Sequence, residues 1–147
     1  MAGIKVITFT VGGRQFALPT KNVKEILRTD RYLKPLFYNQ SGVLKGVMEL
    51  EGQMVSVLNT PFILGIQANG SEPIILVCRE KGLDRAVGLV VSTVDGIRTV
   101  DPSLIKEPQN LKGDFWAGVF EGPEGRKVLL IELGRFLMAA LQKIKGG

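Results

Sequence analysis

Short apolar runs rich in Val, Ile and Phe, broken by glycine, proline and charged turns, dominate this 147-residue chain. They predict strands at about 4–11, 14–19, 43–50, 54–58, 73–79, 86–92, 94–99, 116–121 and 127–132. The glycines at 12 and 13 lie between two such runs, as in a hairpin turn. Helical spacing is confined to two places. Leu133, Phe136, Leu137, Ala140, Leu141 and Ile144 form an apolar stripe opposite Arg135, Gln142 and Lys143, which predicts a C-terminal helix covering a sheet or barrel edge. A shorter helix is expected to open at Asn59-Thr60-Pro61, with Asn or Thr as its cap, and to end at Gly65.

The pattern also repeats. "GVMELEGQMVSVLNTPFIL" from Gly46 aligns with "GVFEGPEGRKVLLIELGRFL" from Gly118, matching Glu49 to Glu121 and, after one inserted turn residue, Gly52 to Gly125. "FALPTKNVKEI" from Phe16 aligns with "VGLVVSTVDGI" from Val87, matching Val23 to Val94 and Ile26 to Ile97. Two matches in the same order argue for two equivalent halves. The expected fold is therefore all-β: two small five-stranded β-barrels related by an internal repeat, with a C-terminal helix. Residues 1–147 form one domain, with 1–70 approximating the first barrel and 71–147 the second plus the helix, the chain being free to cross between them. Polar stretches at 65–73 and 101–114 read as linkers.

Composition narrows the chemistry. The chain has no histidine, which removes imidazole acid-base catalysis, phosphohistidine transfer and most His-containing metal sites. No phosphate-binding glycine loop or nucleophile elbow is present, so no cofactor or metal is expected and the protein reads as a non-enzyme. Its one cysteine, Cys78, lies in the apolar run "IILVC" and reads as a small core residue. Phe115 and Trp116 read as packing residues. The amino terminus lacks an apolar signal core and no run is long enough to span a membrane, which points to the cytoplasm.

A net charge of +5 leaves room for an acidic partner but is weak for a dedicated nucleic-acid binder. The alternative of a small-barrel protein for single-stranded nucleic acid would use the basic stretch Lys21–Lys34, with Tyr32, Phe37 and Tyr38 as stacking residues. Those aromatics follow the basic run instead of interleaving with it, so no nucleic-acid partner is expected. Glu49 and Glu51, two apart on an expected strand, should share a face. A glycosidase-like pair needs facing carboxylates from separate elements across a cleft, whereas here a turn would present both to solvent or to a partner.

The ordering "VITFTVGGRQFALPTKNVKEILR", "GVLKGVMELEGQMVSVLN", "AVGLVVSTVDGIRTV" and "GVFEG…VLLIELGRFL" resembles the CheW family of bacterial and archaeal chemotaxis coupling proteins over nearly the whole chain. The resemblance implies a non-enzymatic adaptor of two β-barrels, whose partners are the chemoreceptor cytoplasmic tip and the regulatory domain of a CheA-type histidine kinase. Direct membrane insertion is not implied; recruitment to receptor arrays is. Val23 resembles a receptor-contact position, with Glu25 beside it. Of Val23, Ile26, Val43 and Val47, alternation would bury some within the first barrel, and the rest would line a groove for a helical receptor tip. Three residues depart from the family pattern: Glu51 replaces an arginine expected to pair with Glu25, Ser56 a proline, and Ser92 an aspartate. Two carboxylates so placed repel unless Lys24, Lys45 or Arg28 intervenes.

Overall fold

The computed structural model describes residues 3–28, 33–35, 42–68 and 72–146. In chain order the elements are β1 (Ile4–Val11), β2 (Arg14–Pro19), β3 (Val23–Leu27), β4 (Lys34–Pro35), β5 (Leu44–Leu50), β6 (Gln53–Leu58), α1 (Thr60–Leu64), β7 (Ile74–Cys78), β8 (Val87–Val91), β9 (Thr93–Val100), β10 (Trp116–Glu121), β11 (Lys127–Ile131) and α2 (Leu133–Gly146). Gly12 and Gly13 close the β1–β2 hairpin with φ of 59° and 78°, a turn in which both central residues are left-handed.

These strands form two sheets, ordered β10-β11-β2-β1-β9 and β3-β7-β8-β6-β5-β4. The sheets do not follow a cut near residue 70. Each half contributes its first hairpin, β1–β2 or β7–β8, to a sheet completed by strands of the other half. Exchange of this kind makes each sheet depend on both halves of the chain.

The repeat holds at the level of register. Gly46, Val47 and Met48 pair with Val57, Ser56 and Val55, and Gly118, Val119 and Phe120 pair in the same way with Leu130, Leu129 and Val128. Both hairpins carry a bulge at the same place, Leu44/Gly46 and Trp116/Gly118. The parallel contacts Ser56–Val87 and Leu129–Phe16 also correspond. So do the bulged edges, where Val23 and Glu25 meet Cys78 and Val77 as Val94 and Gly96 meet Phe9 and Thr8.

Neither sheet is the closed barrel expected from the sequence, because among the described residues no ladder joins the end strands of either order. Instead, one short segment pairs with β5 and another with β10. Lys34 pairs with Val47, and Lys106 pairs with Val119 through backbone bonds of 2.8 and 2.9 Å. Gly46 and Gly118 permit this approach: a Cβ on Gly46 would collide with the Lys34 backbone, and one on Gly118 with Ile105. Each sheet covers a small core of its own, Val6, Ala17, Phe120 and Leu130 in the first and Met48, Val57, Ile75 and Val90 in the second.

A larger core lies between the sheets, built on Phe9, Phe16, Leu18, Leu76, Leu89, Ile131 and Phe136. Helix α2 enters it through Leu133, Phe136 and Ala140, so it plugs the space between sheets and does not merely cover an edge. Leu141 and Ile144, expected on its buried stripe, are exposed. Glu132 caps α2, its carboxylate accepting from the Gly134 and Arg135 amides at 3.0 Å each. Helix α1 ends at left-handed Gly65 as expected, but Asn59 makes no side-chain cap bond and its Nδ2 donates to the Gly42 carbonyl at 3.0 Å. Phe115 packs edge-on to Phe136, and Trp116 stacks near Phe16 while its Nε1 donates to the Lys112 carbonyl. Cys78 is wholly buried, which pushes its thiol up to about 12 and keeps it an unreactive core group.

Candidate functional site

Strand β5 ends at Leu50, which pairs with Gln53 across a two-residue turn, Glu51-Gly52. Both turn residues are left-handed, with φ of 52° and 79°, as a tight hairpin of this length requires. Glu51 is therefore a turn residue, and the strand alternation expected to place it on one face with Glu49 stops one residue short of it. Its counterpart is Glu124, also left-handed at φ 61° and followed by Gly125 at 71°. The repeat thus carries a Glu-Gly turn in both hairpins.

Glu51 and Glu25 line one cleft of about 140 Å³, together with Lys24, Leu50, Gln53, Val55, Val77 and Ala86. The bulge between Val23 and Glu25 turns β3 so that Glu25 is exposed while Val23 packs partly buried against the central core. Two exposed carboxylates therefore flank an apolar floor. Among the described residues neither is in an ion pair with Lys24, Lys45 or Arg28.

The other candidate residues separate by burial. Ile26 is half-buried against the central core, and Val47 is half-buried in β5. Val43 is fully buried in that core and presents no surface to a partner, so only unfolding would bring it into a groove. Ser56 is exposed on β6, and Ser92 joins β8 to β9 with its amide donating to the Thr10 carbonyl at 2.9 Å. Tyr32, Phe37 and Tyr38 of the nucleic-acid alternative lie outside the described residues. Val77 and Ala86 were missed by sequence reasoning, because they reach the cleft from the other half through strand exchange.

Chemically the described lining of the cleft offers charge and apolar contact, with no hydroxyl, thiol or imidazole. Among the described residues no cluster of His, Cys, Asp or Glu could hold a metal ion, and no helix is long and apolar enough to cross a membrane.

A CheW-like domain family model matches residues 5–140. The chain belongs to the CheW-like domain family. The CheW-like family is one of non-enzymatic scaffolds in chemotaxis-type signal transduction. Among solved structures, the scaffolding protein TtCheW from Thermoanaerobacter tengcongensis is similar in fold, with a TM-score of 0.76 at 19% identity over 88% of each chain. A search of curated proteins gave no match.

Proposed function

We propose that this CheW-like protein couples the cytoplasmic tips of chemoreceptors to the regulatory domain of a CheA-type histidine kinase, working in the cytoplasm at receptor arrays. The observation that carries this reading is the family match across residues 5–140, which takes in the strands of both sheets save the first residue of β1. An adaptor of this kind acts thermodynamically: holding two partners together raises their effective concentration, and its differential affinity for receptor states biases the kinase.

Glu25 and Glu51 in the cleft, with the half-buried Val23, Ile26 and Val47 nearby in sequence, are the proposed partner contacts. The apolar floor provides affinity and the two carboxylates select among partners by charge. Co-purification with the CheA-type regulatory domain and a receptor-tip fragment from the same organism tests the reading. A ternary complex is expected; absence of binding to either at micromolar concentration would remove it.

A further inference from the structure

On the sheet opposite the Glu25/Glu51 cleft, a groove of about 1100 Å³ runs between the β1–β2 and β10–β11 turns, β9 and the 101–111 segment. Its volume is at the upper end of small-molecule pockets and suits a stretch of polypeptide. Arg14, Arg98, Lys106, Arg126 and Lys127 all line it. None is in an ion pair among the described residues. Arg98 is held over the Phe120 ring at 5.4 Å with Nη1 on the Glu121 carbonyl, and Lys106 donates to the Ser103 carbonyl. Both contacts fix the cations without neutralising them.

Three carboxylates also border the groove. Asp101 is engaged locally, accepting from the Ser103 amide and hydroxyl at 3.0 Å each, while Glu107 and Glu121 leave the lining with two more cations than anions. Leu104, 61% exposed, gives it an apolar contact point.

We propose that this groove docks an acidic segment of a partner polypeptide bearing an apolar anchor. Carboxylates of the segment meet Arg14, Arg126 and Lys127, and an aliphatic side chain covers Leu104. A single-stranded nucleic acid fits less well, because Phe120, the one aromatic among the described lining residues, is buried and unavailable for base stacking. The site is separate from the proposed coupling cleft and stands or falls independently of it.

Fluorescence anisotropy on the full chain with a short labelled peptide of Glu and Asp interspersed with Leu tests this. Saturable binding that weakens with salt is expected, reduced at least about tenfold in the double variant Arg14→Glu/Arg126→Glu and retained in Lys81→Glu, in the turn between β7 and β8. Leu104→Ser, at an exposed site that leaves the fold intact, is expected to weaken binding several-fold. No saturation at low salt, equal binding by the double variant with an unchanged circular dichroism spectrum, or tighter binding of a single-stranded oligonucleotide than of the peptide would each overturn the proposal.

Discussion

The β5–β6 and β10–β11 hairpins share a bulge, a register and a Glu-Gly turn, yet the first faces a small cleft flanked by carboxylates and the second a wide groove with an excess of cations. The difference comes from neighbours. Glu25 on β3 corresponds to Gly96 on β9, Leu27 to Arg98, and Gln53 to Arg126. Pairing and core packing constrain inward positions in both copies alike, since one slip of register would turn every side chain to the wrong face. Outward positions carry no such constraint and have diverged, which lets one repeated frame present two chemically distinct surfaces.

The comparison breaks most directly at the core shared by both sheets. Phe136→Ala should cost about 3–5 kcal/mol because the ring is fully buried, while Met138→Ala, at a side chain 56% exposed, should stay within about 0.5 kcal/mol. Denaturant titration should show one cooperative transition in each case; two separate transitions would show that the exchanged sheets are independent units. The crossing glycines come next. Gly46→Ala drives a Cβ into backbone and should cost about 2–3 kcal/mol, whereas Gly118→Ala meets mainly the Ile105 side chain and should cost about 1 kcal/mol. Equal losses by thermal unfolding would mean that the two bridges are packed alike.

Smaller effects separate the helices and match the turns. Glu132→Ala should cost about 1 kcal/mol, with no parallel loss for Asn59→Ala through capping, since only Glu132 bonds the amides of its helix. Partial burial raises the Glu132 pKa, but the Arg135 and Gly134 amides and the Arg135 guanidinium outweigh it and hold the carboxyl below its ordinary 4.5. Its contribution is therefore complete above that value and fades as pH falls through the lower folded value, which a comparison of wild-type and Glu132→Ala melting across acidic pH will register. Least in size, Glu51→Gly and Glu124→Gly should each stabilise by about 0.5 kcal/mol, because both relieve a left-handed side chain. Opposite signs in chemical denaturation would end the equivalence of the two turns.

Much of this architecture was legible in the sequence. Alternation located most strands to within a residue or so, and the repeat alignment paired Val23 with Val94 and Ile26 with Ile97, as the registers do. Strand β3 was not read as a strand, because "VKEIL" carries two exposed charges and looks like solvated surface. Its alignment with β9 was the signal available to find it. Strand exchange was not legible, since a repeat states which segments are equivalent but not which copies pair. Closed barrels were expected for the same reason: five strands per half suggest closure, whereas among the described residues no ladder joins the end strands, and the short segments pair only with β5 and β10 beside a single glycine each. For the site, charge at Glu25 and Glu51 was readable, but the burial of Val43 depends on packing between sheets that no local pattern records.

Calorimetric titration of the native receptor tip and CheA-type regulatory domain into the wild-type chain and its Glu51→Arg variant tests the coupling cleft most directly. Reversing the charge beside Glu25 should weaken the native partner that docks there by about tenfold and strengthen a conventional receptor tip selected by arginine at this position. Unchanged affinity for every partner would contradict the account, reducing Glu51 to a tolerated charge in a turn.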